Sequence, residues 1–310
     1  MNDTHTRAYR ADDAAAVADL LNAVAKAGGG HGGHLAAEVE DFLAHEVREL
    51  ATDSRVITDR ERLVAAAFVP VPAGGGTRVE LHGGVAPDRR GAGIGRDLLA
   101  WQLDRAAKLR AEVAPDAQWE AQVVVGVSDA SAIRLVERFG FTVARYFLAM
   151  TAPAVARPVA PPADGVRITT YDHGYERELY AVHVAAFRDM WGYRDRAFDS
   201  WAAQTVRSET FVPELCRVAL AGDKIVGYVF PYGTAEPERL YIGQVGTASS
   251  WRRRGIASAL LAEVLGAAGR AGYREAALDT DADNPTGAAR SYANVGFVVD
   301  QHIVAYTKPV

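Results

Sequence analysis

The chain carries one loop twice, first as Val85-Ala86-Pro87-Asp88-Arg89-Arg90-Gly91-Ala92-Gly93-Ile94-Gly95 and again as Thr247-Ala248-Ser249-Ser250-Trp251-Arg252-Arg253-Arg254-Gly255-Ile256-Ala257. Each copy follows a strand-like run and precedes an apolar, helix-like run. Both copies end in Arg-x-x-Gly-x-Gly/Ala. The small residues let the backbone turn tightly and present N–H groups at a helix N-terminus, where anions bind. The sequence therefore predicts two copies of a phosphate-binding loop.

The landmarks around the loop repeat with nearly one period. Gly93 and Gly255 are 162 residues apart, and the pairs Gly140-Phe141 and Gly296-Phe297 are 156 residues apart. A fixed period of this kind indicates internal duplication. Between the copies, residues 151–165 read TAPAVARPVAPPADG, a composition typical of a semi-rigid connector. We therefore predict a first domain over 1–150, a linker over 151–165 and a second domain over 166–310.

Composition limits the classes of partner. Apolar residues make up 49% and charged residues 24% of the chain, and no apolar run approaches the ~20 residues that span a bilayer. The first residues, MNDTHTRAYR, lack the apolar core of a signal peptide, and the net charge of −5 opposes binding to nucleic acid or anionic lipid. The single cysteine, Cys216, is expected to be a packed thiol within a strand. We expect a cytoplasmic protein without nucleic-acid or membrane partners.

Hydrophobic periodicity predicts the same order of elements in both halves. A strand is followed by two helices and a run of strands, then by the loop and its helix, and finally by a strand, a short helix and a last strand. Strands that first form a meander and then alternate with helices imply a mixed, mostly antiparallel sheet flanked by helices. The predicted fold class is α/β (α+β), present twice. A Rossmann loop is excluded, because it needs G-x-G-x-x-G after the first strand.

This order, with R-x-x-G-x-[GA] before a helix and Gly-Phe before the last strand, resembles the GNAT N-acetyltransferase superfamily. The duplication resembles its two-domain members of the mycothiol synthase type, and the resemblance covers the chain except for the linker. It implies acetyl-CoA as the acyl donor, with its pyrophosphate on the loop. The implied coenzyme-binding residues are Val245, Gly246, Thr247, Arg252, Arg253, Arg254, Gly255, Ile256, Ala257 and Asn284, with Val85, Arg90, Gly91, Ala92, Gly93, Ile94 and Gly95 in the first half.

The resemblance separates the two halves in their chemistry. The family commonly places a tyrosine four residues before the glycine of Gly-Phe, where it donates a proton to the departing thiolate. That residue is Tyr292 in the second half and Val136, which has no proton to donate, in the first. The resemblance also implies that backbone donors at Val245, Gly246 and Thr247 stabilise the oxyanion. We therefore expect catalysis in the second domain only, with coenzyme binding by the first left open.

The base is not evident. The family often has Glu or His four or six residues before the position of Thr247, on the strand face of Val245, and here those positions hold Gly243 and Tyr241. The first half has Leu81 and Val79 there. We therefore expect an acceptor amine of low pKa, deprotonated through a water molecule. The carboxylates that could anchor this water are Asp189, Glu238 and Asp281.

The acceptor is expected to bind between the first two helices of the second half. The aromatic turn there is suited to an amine with an apolar or sugar-like body, and the expected contacts are Phe187, Asp189, Trp191 and Tyr193, with Tyr241 on the neighbouring strand. Packing of this turn onto its own core is the alternative. The first half has a glycine-rich break with His31 and His34, but no carboxylate partner is obvious, so no metal site is predicted.

The prediction is therefore a tandem acetyltransferase that acts on the amine of a small molecule by direct transfer in a ternary complex. Two alternatives stay open. One is transfer from a longer acyl-CoA or to an alcohol. The other is a non-catalytic protein that binds or senses acyl-CoA, which the missing base favours. We expect a monomer with pseudo-twofold tandem domains or a weak homodimer.

Overall fold

The computed structural model describes residues 4–72 and 75–310 and divides into two compact units. Unit 1 comprises residues 1–146 and 301–310, and unit 2 comprises residues 147–300. The predicted domain limits at 150 and 166 differ from this division. Thr151–Pro153 belong to a strand of unit 2, and the last residues of the chain belong to unit 1. This difference arises from pairing between strands that are distant in sequence, and such pairing cannot be inferred from local composition.

Unit 1 begins with a strand and three helices and continues as a meander followed by alternating helices and strands. Its elements are β1 (Thr4–Arg7), α1 (Ala14–Ala27), α2 (Ala36–Glu46), α3 (Leu50–Asp53), β2 (Ser54–Asp59), β3 (Arg62–Phe68), β4 (Arg78–Glu80), β5 (His82–Val85), α4 (Ile94–Val113), β6 (Glu120–Gly126) and α5 (Ala130–Arg138). The next strand is β7 (Thr142–Pro153). The segments β4 and β5 are consecutive in sequence but have different partners, because β4 pairs with β6 whereas β5 pairs with β3.

Unit 2 repeats this order. Its elements are β8 (Val166–Thr170), α6 (Glu176–Phe187), α7 (Phe198–Gln204), β9 (Arg217–Ala221), β10 (Lys224–Gly233), β11 (Arg239–Thr247), α8 (Ile256–Arg270), β12 (Glu275–Asp281), α9 (Ala288–Ala293) and the start of β13 (Val298–Pro309). The strand order within the unit is β7-β12-β11-β10-β9-β8, with one parallel pair, β11 and β12, among antiparallel ones. The predicted mixed, mostly antiparallel sheet flanked by helices is confirmed.

Each unit completes its sheet with a strand from the other half of the sequence. In unit 2, Phe147–Pro153 of β7 pair antiparallel with β12. In unit 1, Ile303–Pro309 of β13 pair antiparallel with β6.

The core of unit 2 lies between α8 and the sheet. Leu260, Leu261, Val264 and Leu265 of α8 are fully buried among side chains from β10, β11 and β12. Burial of such side chains stabilises the fold by about 2 kcal/mol each. A second cluster on the opposite face joins α6 and α7 to β9 and β10. The loop of unit 2 that is predicted to bind phosphate connects β11 to α8, so its position is fixed by the first of these cores.

Candidate active site in unit 2

Strand β11 separates from its parallel neighbour partway along its length. The register between β11 and β12 joins Arg239–Tyr241 to Glu275–Ala277, whereas the register between β11 and β10 continues to Thr247. Beyond Tyr241, one edge of β11 therefore borders a gap. Backbone groups on such an edge are available to a ligand. The residues predicted to bind the thioester, Val245, Gly246 and Thr247, lie on this edge, as expected for them.

A β-bulge interrupts β11 beside the gap. Phe230 of β10 lies opposite Gln244, but the next residue, Pro231, lies opposite Ile242, so Gly243 is an extra residue. A bulge of this kind bends the strand and shifts the alternation of its side chains. A side chain at Gly243 would collide with a neighbouring tyrosine ring, because its Cβ would lie 2.5 Å from a ring carbon. Glycine therefore allows the bulge to pack.

The bulge changes which residues share a face. Val245 packs against the core beneath α8. Gln244 instead accepts a hydrogen bond from the Tyr228 hydroxyl at 3.1 Å, on the α6 side, and a Cβ on Gly246 would lie 2.3 Å from the same ring. The prediction that Tyr241 shares the face of Val245 is therefore wrong, because it assumed unbroken alternation.

The two loops have the same backbone. Arg90 and Arg252 have φ of −65° and −64°, and the helix N-caps Gly93 and Gly255 have φ of 86° and 75°. Left-handed φ of this kind favours glycine. Because a glycine N-cap has no side chain, the N–H groups of the first helical turn remain available to an anion. The sequence correctly predicts the geometry of both loops.

The other loop residues follow the same equivalence. Gly91 has φ of 80°, and Arg253 takes its place in the second loop with φ of 60°. Helices α4 and α8 both begin with isoleucine. Of the remaining predicted positions, Val85 ends β5 and Ala92 lies in the loop, while the first helical turns hold Ile94, Gly95, Ile256 and Ala257. The loops differ in their side chains rather than in their course.

In unit 1, carboxylates neutralise the arginines of the loop. Arg90 donates to Asp129 at 3.0 Å, and Asp129 is buried and also caps α5. The preceding residue, Arg89, forms an ion pair with Asp59. The loop of unit 1 therefore presents little free positive charge to a phosphate.

In unit 2, the arginines of the loop are not neutralised. Arg252 donates to the carbonyl oxygen of Ala186 at 2.8 Å, while Arg253 and Arg254 are exposed, with the Arg254 guanidinium 4.6 Å from the centre of the Trp251 ring. Among the described residues, no carboxylate forms an ion pair with any of these three arginines. This loop combines a free helix N-terminus with unpaired positive charge, a combination suited to a pyrophosphate.

Tyr292 lies on α9 beside the first turn of α8, where Ser258 donates to the carbonyl oxygen of Ser291 at 3.5 Å. Tyr292 is 9% exposed, and burial raises its pKa to about 12. No other side chain in the described part of the chain hydrogen-bonds to its hydroxyl. Val136, its counterpart in unit 1, is buried in an apolar core.

Asn284 lies in the turn before α9. Its side-chain oxygen accepts hydrogen bonds from the N–H and the hydroxyl of Thr286, at 2.9 and 2.6 Å. These bonds order the turn, and neither of them uses the Asn284 side-chain NH2 group. Asn284, which is predicted to contact the coenzyme, therefore has an NH2 donor and also stabilises its own turn.

A histidine that sequence reasoning missed lies under the aromatic turn. The Nδ1 of His183, on α6, is 3.0 Å from the Tyr228 hydroxyl, which donates to Gln244. Burial lowers the pKa of His183 to about 4, so the imidazole is neutral at pH 7. Because Tyr228 donates to Gln244, its oxygen accepts from Nδ1–H and leaves Nε2 unprotonated. The only sequence signal was a histidine on the inward face of α6.

The predicted acceptor residues surround this histidine or lie near the gap. Phe187 stacks on His183 at 4.8 Å between ring centres, and Trp191 lies 5.8 Å from Phe147. The Tyr193 hydroxyl donates to Asp195 at 3.1 Å, and Asp189 is exposed. The alternative to acceptor binding, in which the turn packs on its own core, therefore applies to Phe187.

Two of the carboxylates considered as water anchors have other partners. Glu238 forms an exposed ion pair with Arg274 at 3.1 Å. Asp281 accepts the N–H of Asp283 at 2.9 Å within its own turn. In residues 4–72 and 75–310, no cluster of three His, Cys, Asp or Glu side chains is arranged to hold a metal ion. Across the same ranges, no helix has the length and apolarity needed to cross a bilayer.

Comparisons with known proteins agree with this geometry. Residues 176–297 match the model of the Acetyltransferase (GNAT) family. A GCN5-related N-acetyltransferase from Sphaerobacter thermophilus is 30% identical, with a TM-score of 0.78 over 100% of this chain and 96% of that one. A tandem GNAT protein from the clavulanic acid biosynthesis pathway is 18% identical, with a TM-score of 0.74 over 99% and 98% of the two chains, and shares the fold. No curated protein sequence matches significantly.

Proposed function

Because the chain belongs to the GNAT acetyltransferase family, we propose that its second unit transfers the acetyl group of acetyl-CoA to the amine of a small molecule, directly and within a ternary complex. The observation that carries the proposal is the contrast between the two loops. They share one backbone, but only the loop of unit 2 keeps its arginines free of carboxylates. Unit 1 serves as a structural partner without catalysis.

The separated edge of β11 supports the chemistry. The N–H groups of Val245 and Thr247 would lie against the thioester carbonyl, whose oxygen gains negative charge when the amine attacks. The alternate residues Gly246 and Ala248 face β10 instead. Fixed donors of this kind contribute about 3 kcal/mol each to transition-state stabilisation. The gap that begins at Tyr241 leaves this edge without a strand partner and so available to the donor substrate.

Tyr292 supports the departure of the thiolate. Its hydroxyl has no other partner among the described side chains and lies on the helix beside the loop. We assign it a hydrogen bond to the sulfur as the carbon–sulfur bond breaks. Direct transfer needs no nucleophilic residue, and the single cysteine, Cys216, is fully buried with a raised pKa, which excludes an exposed thiolate.

The test is release of free thiol from acetyl-CoA in the presence of a panel of primary amines, with identification of the acetylated product by mass. Turnover with amines and not with the corresponding alcohols supports amine transfer. Turnover only with longer acyl-CoA donors would mean that the acyl donor is a longer acyl-CoA and not acetyl-CoA. Tight binding of coenzyme A without turnover of any amine would contradict catalysis and favour an acyl-CoA sensor.

A further inference from the structure

We propose that Asp279 receives the cationic amino group of the acceptor and takes its proton, an inference that rests on the acetyl transfer proposed for the same unit. Asp279 lies on β12, two residues beyond the last residue of that strand paired with β11. The family resemblance directed attention to β11 alone. The structure supplies a carboxylate on the strand across the gap.

The first argument is the bonding of the carboxylate. The Tyr241 hydroxyl donates to Oδ2 of Asp279 at 3.1 Å. In the described part of the chain, Oδ1 has no hydrogen bond and no ion pair. Asp279 therefore has one oxygen oriented by the protein and one oxygen free to accept an N–H of a ligand.

The second argument is the position along the gap. Tyr241 pairs with Ala277, so Asp279 is level with Gly243 on the opposite strand. Val245, the first of the proposed thioester donors, is two residues further along, about 7 Å at the usual rise of a strand. An amino group that binds between Asp279 and Val245 can therefore reach both the carboxylate and the reacting carbonyl.

The third argument is the face of the sheet. Ala276 and Leu278 are buried in the core beneath α8, so Asp279 points to the opposite face, which α6 covers. Asp279 lies opposite Ala149 of β7, and Phe147, two residues along β7, shares that face and contacts Trp191. An aromatic wall beside a carboxylate suits an ammonium group on an apolar, aryl-bearing body.

The environment of the carboxyl group agrees with this role. The Asp279 side chain is exposed on β12, and the protein atoms around its carboxyl group still remove part of its hydration. This desolvation raises the pKa of Asp279, and the hydrogen bond from Tyr241 opposes the rise. A carboxylate whose pKa is raised becomes a stronger base.

The proton and electron balance is complete. The acceptor ammonium gives one proton to Asp279, and the freed lone pair forms the carbon–nitrogen bond. As the carbon–sulfur bond breaks, the nitrogen loses its second proton and the departing thiolate gains one. The products are the amide and free coenzyme A, and Asp279 returns its proton to solvent.

The test compares two acceptors of the same shape. Phenethylamine is an ammonium ion at pH 7, whereas O-benzylhydroxylamine, in which oxygen replaces the CH2 beside the nitrogen, is neutral there. We expect Asp279→Asn to lower kcat/KM for phenethylamine by about 100-fold and to change that for O-benzylhydroxylamine little. Asp223→Asn, in the exposed turn after β9, removes one negative charge elsewhere in the same unit and should affect neither.

The outcomes separate the two proposals. Equal losses for both acceptors in Asp279→Asn, or no loss for either, would overturn the role of Asp279 and leave the transferase standing. Turnover of neither acceptor and of no panel amine by the wild-type protein would overturn the proposed function and this inference together. An unchanged thermal unfolding midpoint in Asp279→Asn shows that the variant is folded.

Discussion

Tyr292 shows how burial decides the role of a single side chain. With its pKa raised to about 12, full proton transfer to a thiolate whose conjugate acid has a pKa of about 8.5 costs about 5 kcal/mol. Tyr292 therefore acts as a hydrogen-bond donor to the developing charge. Its ring packs in an apolar core, where the low local dielectric strengthens a hydrogen bond to a charged atom.

Replacing Tyr292 with phenylalanine should lower kcat by about 10- to 100-fold, the value of one hydrogen bond to a charged group, while KM for acetyl-CoA stays similar. Steady-state kinetics with the best panel amine measures both constants. Tyr273→Phe provides the control, because Tyr273 packs against the same core without a proposed role. An unchanged kcat in Tyr292→Phe would contradict the assignment.

His183 makes stability depend on pH. Its pKa is about 4 in the folded chain and 6.5 in the unfolded chain, so between these values the unfolded chain binds more protons. Stability therefore rises with pH through this window and is lost as pH falls from 6.5 towards 4. Because His183 is only partly buried, we expect it to contribute about 2 kcal/mol to the change in unfolding free energy across this pH window.

Urea unfolding of His183→Gln at pH 7 and pH 4 tests this dependence. The difference in unfolding free energy between the two pH values should shrink relative to wild type. His302→Gln, at an exposed histidine, should leave the difference as it is. An unaltered difference in His183→Gln would mean that the imidazole is not held neutral by the fold.

At the level of elements, the linker contacts the loop between β11 and α8. Residues 154–164, which we name the linker strap, run along α8 from its end to its start. The carbonyl of Ala154 lies 2.1 Å from where a Cβ on Gly269 would be, and the N–H of Ala163 donates to the carbonyl of Arg254 at 3.1 Å. The strap therefore helps to hold a loop in which Arg253 adopts a left-handed φ of 60°. Such a conformation costs about 1–2 kcal/mol outside glycine.

Ala163→Pro removes this N–H donor and should raise KM for acetyl-CoA about fivefold, the value of one hydrogen bond. Ala163→Gly, which keeps the N–H, is the backbone control. Arg253→Gly restores the residue type of the first loop and relieves the strain, so it should lower the penalty of Ala163→Pro when the two are combined. Purely additive effects would show that the strap does not hold the loop.

The sequence predicted those elements that depend on local signals. Both loops and their helices follow from glycine positions and helical periodicity, and the structure has them. The choice of Tyr292 on α9 followed from the family resemblance. Pairing between distant segments has no such signal. The bulge at Gly243, the exchange of closing strands and the contact between Asp279 and Tyr241 all depend on it.

At the level of the whole molecule, the two units share the backbone of the loop but differ in the side chains around it. Unit 1 has a buried carboxylate, Asp129, where its loop arginine Arg90 would otherwise face an anion. Unit 2 has free arginines and Tyr292 instead. A carboxylate beside the loop repels a pyrophosphate as well as occupying the arginine. We therefore propose that each chain binds one coenzyme molecule, although the chain has two loops.

Isothermal titration of the full chain with coenzyme A tests this assignment most directly. We predict one site per chain, lost in Gly255→Val and kept in Gly93→Val, because a valine at either left-handed N-cap distorts its own loop. Thermal unfolding shows that both variants are folded. Two sites per chain, or a site lost in Gly93→Val and kept in Gly255→Val, would contradict the central claim that unit 2 alone binds the acyl donor.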